Sequence, residues 1–177
     1  MSEELKKTET MAEDGKVKTF NVIFNVEGKA VGKMRNEIRG QMVSPVVDEV
    51  FEMATDEGAA HGGDMTAPPP LAYFCTGFVA CLMTQIRAFA KRLRVEVGEV
   101  AVKAHIEWEA RVEGRDPYTS RPVAFRLDID LDSDAPFEDQ KRLLDAAQKG
   151  CFVEATLADP IPVQHKLLID GAYRDAD

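Results

Sequence analysis

From Thr19 the chain alternates: Phe20, Val22, Phe24 and Val26 fall on one phase, Asn21 and Asn25 on the other. A period of two marks a strand with one face covered, and Glu27-Gly28 reads as its end. A second strand from Ala30 to about Arg39 completes a hairpin with the first, and a third covers Val46 to Ala54 after Pro45. Residues 55–70 then break all periodicity. Gly58, Gly62, Gly63 and the run Pro68-Pro69-Pro70 describe a long irregular connection whose last part is stiffened by proline.

The period changes at Leu71. Leu71 to Arg94 reads as one helix, apolar nearly all round as far as Met83 and amphipathic beyond it. Its nearly apolar part, Leu71 to Met83, is short for a bilayer span, and its basic end (Arg87, Lys91, Arg92, Arg94) suits a helix C-terminus. Two alternating strands follow. Val100, Val102, Ala104, Ile106, Trp108, Ala110 and Val112 face inward on the first, and Val123, Phe125, Leu127, Ile129 and Leu131 on the second, with a turn over 114–122. Wet on one face, they fit an antiparallel sheet.

Ser133 and Asp134 offer capping chemistry for a helix from Pro136 to Lys149 that buries Phe137, Leu143, Leu144 and Ala147. Gly150 interrupts it. Cys151 opens a second helical piece to about Leu157, and Ile161 to Ile169 forms a last strand carrying His165 on its apolar phase. The order β-β-β-α-β-β-α-α-β is only partly alternating, which makes the fold class α+β. Residues 1–16 read as a polar, disordered N-terminal arm, 17–172 as a single domain, and 173–177 as a frayed tail. The first helix is too apolar for one sheet to cover, so a homodimer with an extensive interface is expected.

Composition narrows the chemistry. With 177 residues and 45% hydrophobic content the chain can bury a core, and a net charge of -9 argues against a nucleic-acid partner. Three cysteines and a polar start favour a reducing, cytoplasmic setting without a membrane anchor. There is no zinc-binding Cys/His spacing, no phosphate-binding glycine loop and no nucleophilic serine elbow in the sequence. Cysteine chemistry remains. Cys75 and Cys81 lie about 240° apart around a helix, so they are not a natural pair. Read from spacing alone, all three cysteines are ordinary core residues.

Two local words change that reading. Residues 62–83, GGDMTAPPPLAYFCTGFVACLM, contain Gly77-Phe78-Val79-Ala80-Cys81-Leu82, and Gly150-Cys151-Phe152-Val153 opens the late helix. With this spacing the chain resembles the OsmC/Ohr family of organic hydroperoxide reductases and osmotically induced thiol peroxidases, over roughly residues 20–170. The resemblance implies an OsmC-like fold of antiparallel sheets about a long central cysteine helix, in an intertwined homodimer with sites at the interface. It implies Cys81 as the peroxidatic cysteine and Cys151 as the resolving one. The partners implied are a small organic hydroperoxide and an external dithiol reductant, with no metal and no bound organic cofactor.

A peroxidatic thiol needs a depressed pKa, and mid-helix desolvation works the other way, so a cation must approach Cys81. The family takes it from an arginine of the N-terminal β region. Arg39 and Arg35 are the candidates, Arg39 preferred for lying nearer the strand that leads into the loop. The family also places a Glu just after the proline that starts the helix. Here Leu71 and Ala72 stand there, and Asp64 is the loop carboxylate left to stand in. His61, Tyr73, Phe74 and Phe78 are candidates to line a substrate pocket, Cys75 is a core thiol, and His105 and His165 read as structural. The other reading is a catalytically weak member that binds a small apolar ligand or responds to redox state.

Overall fold

The computed structural model describes residues 17–176. The polar arm expected over 1–16 lies outside the described residues. Among them the order is three strands, a long helix, two strands, two helices and a closing strand pair. The chain divides into two compact units, one up to Ala72 and the other from Tyr73.

In the first unit β1 (Ile23–Ala30), β2 (Asn36–Ser44) and β3 (Val46–Thr55) form an antiparallel sheet in that order. The first hairpin lies several residues further along than the alternation suggests. Glu27-Gly28 does not end β1: Gly28 pairs with Ile38 inside the ladder. A Cβ at Gly28 would come within 2.9 Å of the Ile38 Cδ1, so this glycine marks a close approach. Phe20 precedes the strand and is 76% exposed, and Phe24 and Val26 are exposed too. A charge ladder crosses the sheet, with Arg39 opposite Glu27 on one side and Glu52 on the other.

The second unit holds the core. Helix α1 (Pro70–Leu93) starts on proline, whose fixed φ and missing N–H suit a first turn. Arg94 closes it in the left-handed conformation (φ 56°), and the Val95 N–H donates to the Ala90 carbonyl at 3.0 Å, a Schellman-type end. At 24 residues the helix is, by length and composition, long and apolar enough to cross a membrane, unlike its shorter all-apolar stretch. Its buried stripe of Phe78, Leu82, Ile86 and Ala90 instead enters a core with Val95, Val100, Leu143, Ala147 and Cys151.

β4 (Val100–Arg111) and β5 (Thr119–Leu131) pair antiparallel, with the turn between them shorter than the proline and glycine content suggests. α2 (Phe137–Gly150) buries Leu143 and Ala147, whereas Phe137, expected in the core, is 74% exposed in its first turn. Ser133 does not cap α2. Its hydroxyl donates to the Glu96 carbonyl at 2.6 Å, and Pro136 takes the capping position. α3 (Phe152–Ala158) follows directly.

The last strand and the frayed tail are instead a hairpin, β6 (Lys166–Ile169) and β7 (Ala172–Asp175). Asp170 and Gly171 both take positive φ (53° and 78°), as a two-residue primed hairpin loop requires. His165 lies just before β6, where its carbonyl accepts from the Ala176 N–H at 3.0 Å.

Candidate functional site

Cys81 sits on the face of α1 that also carries Phe74 and Phe78, about 20° and 60° away at 3.6 residues per turn. Phe74 and Phe78 enclose Phe125 of β5, at centroid distances of 6.3 and 5.9 Å, and Trp108 of β4 meets Phe125 edge-on at 5.5 Å. Cys81 is half-buried and packs against the core cluster. Tyr73 and Cys75, on the same helix, are half-buried, and Cys75 is a free thiol.

Cys151 reaches Cys81 from the junction of α2 and α3. Gly150 makes the approach feasible, because a Cβ there would overlap the ring of Phe89 on α1. Cys151 is fully buried and caps the N-terminus of α3. Cys81 packs against the same core cluster that contains Cys151, near enough for each thiol to bear on the other. Burial first, then the neighbouring Cys81 thiol, push the Cys151 thiol up to about 11, against the pull of the Glu154 and Val153 backbone N–H groups. At neutral pH Cys151 therefore keeps its proton. Both cysteines are free thiols.

Glu154 stands one turn beyond Cys151. Its Oε1 is buried and has no hydrogen-bond partner, and burial raises its pKa above the usual carboxylate value. Sequence reasoning missed this residue, although the Cys-x-x-Glu spacing was a signal, since it is the spacing of a capping box.

The loop candidates belong to the first unit. Asp56 is 2% exposed and fully engaged. Its Oδ1 accepts from the Glu57 N–H at 2.9 Å, and its Oδ2 from the Thr66 N–H and hydroxyl at 2.9 and 2.7 Å. These bonds, with another from the Asp64 N–H, outweigh burial and hold its carboxyl below the ordinary value, the Thr66 N–H contributing most. The Thr66 hydroxyl in turn accepts from Arg35 Nη1 at 2.9 Å. Asp64 is ion-paired with Lys33 at 2.7 Å. His61 ends a single 3-10 turn (Ala59–His61), exposed, 3.8 Å from Glu57. Arg39 is 59% exposed, with Glu27 and Glu52 each 3.8 Å away. His105 is also exposed, 3.7 Å from Glu107. Among the described residues no cluster of His, Cys, Asp and Glu is suited to hold a metal ion.

The model of the family described as OsmC-like protein matches residues 61–166, more than half the chain. The chain belongs to the OsmC-like family. An OsmC-like hydroperoxide resistance protein from Jannaschia sp. CCS1 is 46% identical in crystal structure, with 88% of this chain and 98% of that one covered and a TM-score of 0.60. Two more distant crystal structures share the fold. An OsmC-like protein from Mycoplasma pneumoniae is 15% identical (78% and 89% covered, TM-score 0.59). An organic hydroperoxide resistance protein from Legionella pneumophila is 13% identical (80% and 91% covered, TM-score 0.51). Comparison with curated proteins finds no match. The matched stretch of this OsmC-like chain contains both Cys81 and Cys151. Chemically, the pair offers two thiols in apolar surroundings, one of them held protonated, next to an aromatic wall. Such a pair can alternate between dithiol and disulfide.

Proposed function

We propose that this OsmC-like protein is a thiol peroxidase for organic hydroperoxides, working through Cys81 and Cys151. The convergence of the two free thiols on one core cluster, Cys151 from the α2–α3 junction and Cys81 from α1, is the observation that carries the reading. The Cys81 thiolate attacks one peroxide oxygen. The O–O bond breaks, the alkoxide leaves and takes a proton as the alcohol, and sulfur is oxidised to the sulfenic acid. Cys151 then attacks that sulfur, the S–O bond breaks and water departs. An external dithiol returns the disulfide to two thiols. Phe74, Phe78, Trp108 and Phe125 suit an apolar peroxide tail. The name of the 46% identical Jannaschia protein points to the same substrate class.

The reading also calls for a guanidinium. Arg39 lies between two carboxylates that offset its charge. Arg35 is oriented by Thr66, which Asp56 holds in turn. Arg35 and Arg39 are the two candidates for that role. A homodimer belongs to the proposal as well, since Phe24, Val26, Leu71 and Phe74 are exposed in the single chain.

The test is a titration of the reduced protein with cumene hydroperoxide, counting free thiols. Wild type should lose two thiols at one equivalent, Cys81→Ser none rapidly, and Cys151→Ser should accumulate a trappable sulfenic acid. Slow, unselective loss of all three thiols would instead support a redox-responsive module of low activity, the second reading, which the uncharged Leu71 and Ala72 favour.

A further inference from the structure

We propose that the groove beside the second half of α1 is the docking site for an acidic segment of the protein that supplies the reducing dithiol. The inference rests on the peroxidase reading and deepens it by naming the partner's chemistry. The groove, about 750 Å³, runs between the last turns of α1 and residues 95–98, the stretch leading toward β4. Thr84 and Ala88 line its helix side. At 3.6 residues per turn they stand about 60° and 20° around the helix from Cys81, and about 4.5 and 10.5 Å further along its axis. Both are exposed, and Cys81 is half-buried. The groove therefore begins one helical turn from a sulfur that the peroxidase reading places in the disulfide.

The charge of the groove says what fits there. Arg87, Lys91 and Arg94 line it, with Glu96 the one acid among the described lining residues. The three cations are exposed, and among the described residues none has a carboxylate within ion-pair distance. Arg87 makes only a 3.4 Å bond from its Nε to the Met83 carbonyl. The helix dipole accounts for cations in a last turn, but its effect fades before Arg87, which is more than one turn from the end of α1. In a chain of net charge -9, three unpaired cations on one groove make a local field that draws in an anion. Ala88 and Val97 add apolar lining, so the segment that fits has carboxylates interspersed with small apolar side chains. The apolar residues that α1 leaves for a second copy, Leu71 and Phe74, belong to its opposite end.

Once the acidic segment is seated, a thiolate of the partner attacks Cys81, the more exposed sulfur of the disulfide. The S–S bond breaks, and Cys151 leaves and takes up the proton that the attacking thiol gave up. The partner's second thiol then displaces Cys81 from the mixed disulfide and passes it the second proton. Cys81 and Cys151 end as thiols, and the partner is oxidised to its own disulfide.

The test oxidises the protein with one equivalent of cumene hydroperoxide and follows its reduction by two synthetic peptides with the same dithiol, one flanked by glutamates and one by lysines. Each rate is divided by that peptide's own rate on hydroxyethyl disulfide, and dithiothreitol is the uncharged control. At about 0.02 M salt the glutamate peptide should act roughly 10-fold faster than the lysine peptide, and at about 0.5 M salt the gap should close. The double variant Arg87→Glu/Lys91→Glu should lose the preference and Arg87→Gln/Lys91→Gln most of it, while dithiothreitol reduces all forms alike. Equal rates at low salt, or a preference kept in the charge-reversed variant, overturns this inference alone. So does a charge-reversed variant that sediments as a monomer where wild type is a dimer, since a second copy then fills the groove. A DNA duplex bound more tightly than the glutamate peptide overturns it as well. Failure of wild type to form the Cys81–Cys151 disulfide overturns the peroxidase reading and this inference with it.

Discussion

Asp56 is buried and Glu154 half-buried, and their acidities move in opposite directions. Asp56 accepts bonds from Glu57 and Thr66 at both oxygens, and its pKa falls. Glu154 leaves one oxygen unmatched, and its pKa rises. Burial acts on both; hydrogen bonding to the anion decides the sign. The difference separates two uses of a buried acid. Asp56 ties residue 57 to residue 66 and fixes an otherwise irregular connection, through Thr66, to Arg35. The Glu154 Oε1 ties nothing, and burial raises its pKa unopposed.

The largest expected effect comes from breaking the matched side. Asp56→Ala strips acceptors from the Glu57 N–H, the Thr66 N–H and the Thr66 hydroxyl, three part-buried bonds lost at once. Gly63 lies in the same turn, and a Cβ there would run into the Glu57 carbonyl, so the backbone has little freedom to rearrange. A fall in Tm of roughly 5–10 °C is expected in calorimetry, with new proteolytic cleavage within 56–66. Thr66→Val, which removes one hydroxyl and the partner of Arg35, should fall between this variant and wild type. An unchanged melt and an uncut loop in Asp56→Ala would sink the structural half of the comparison.

The two carboxyls also show what the chain discloses in linear form. The alternation over 100–131 and the apolar helix after Pro70 are long periodic signals, and both elements form nearly where the pattern places them. The cysteine pair was legible through its two short words and a resemblance, since periodicity alone left Cys81 and Cys151 as core residues. Where local chemistry competed with pattern, the reading slipped. Gly28 looked like a strand end but serves a close cross-strand contact. Residues 173–177 looked like a frayed tail, but Asp170-Gly171 turns the chain so that most of them pair in a hairpin. The Asp56–Thr66–Arg35 chain was not legible at all, because it joins residues of opposite loop ends through backbone geometry that no spacing encodes. Glu154 was half legible: its spacing from Cys151 is a capping spacing, but only the structure shows the Cys151 N–H already taken by Gln148.

A smaller effect should follow from loosening the unmatched side. Gly150 lets the end of α2 come up against Phe89 of α1, and Gly150→Ala forces that ring or the helix to shift. Overpacking against one movable ring costs about 1–2 kcal/mol, which lowers Tm by roughly 2–8 °C in a chain of this size. Its sharper consequence is local. Separating α2 from α1 admits water near Cys151, so the thiol titration, followed by absorbance at 240 nm, should move down from about 11. A destabilised variant with the Cys151 titration unmoved would show that burial by α1 is not what holds its proton.

The smallest effect is the most discriminating, because the two acids should respond to pH with opposite signs. The folded pKa of Asp56 lies below 3.8, so its contribution is complete above 3.8 and disappears as pH falls through the lower folded value. Asp56→Asn should accordingly be less stable than wild type at neutral pH, with the gap narrowing under strong acid. The folded pKa of Glu154 lies above 4.5, so ionisation opposes folding. That penalty is absent below 4.5 and grows as pH rises through the folded value. Glu154→Gln keeps the shape and removes the charge, so it should melt about 2 °C above wild type at pH 7 and level with it at pH 4. A Gln variant that loses stability at pH 7 would mean the Glu154 anion is matched after all, and the contrast with Asp56 would fail at its weaker end.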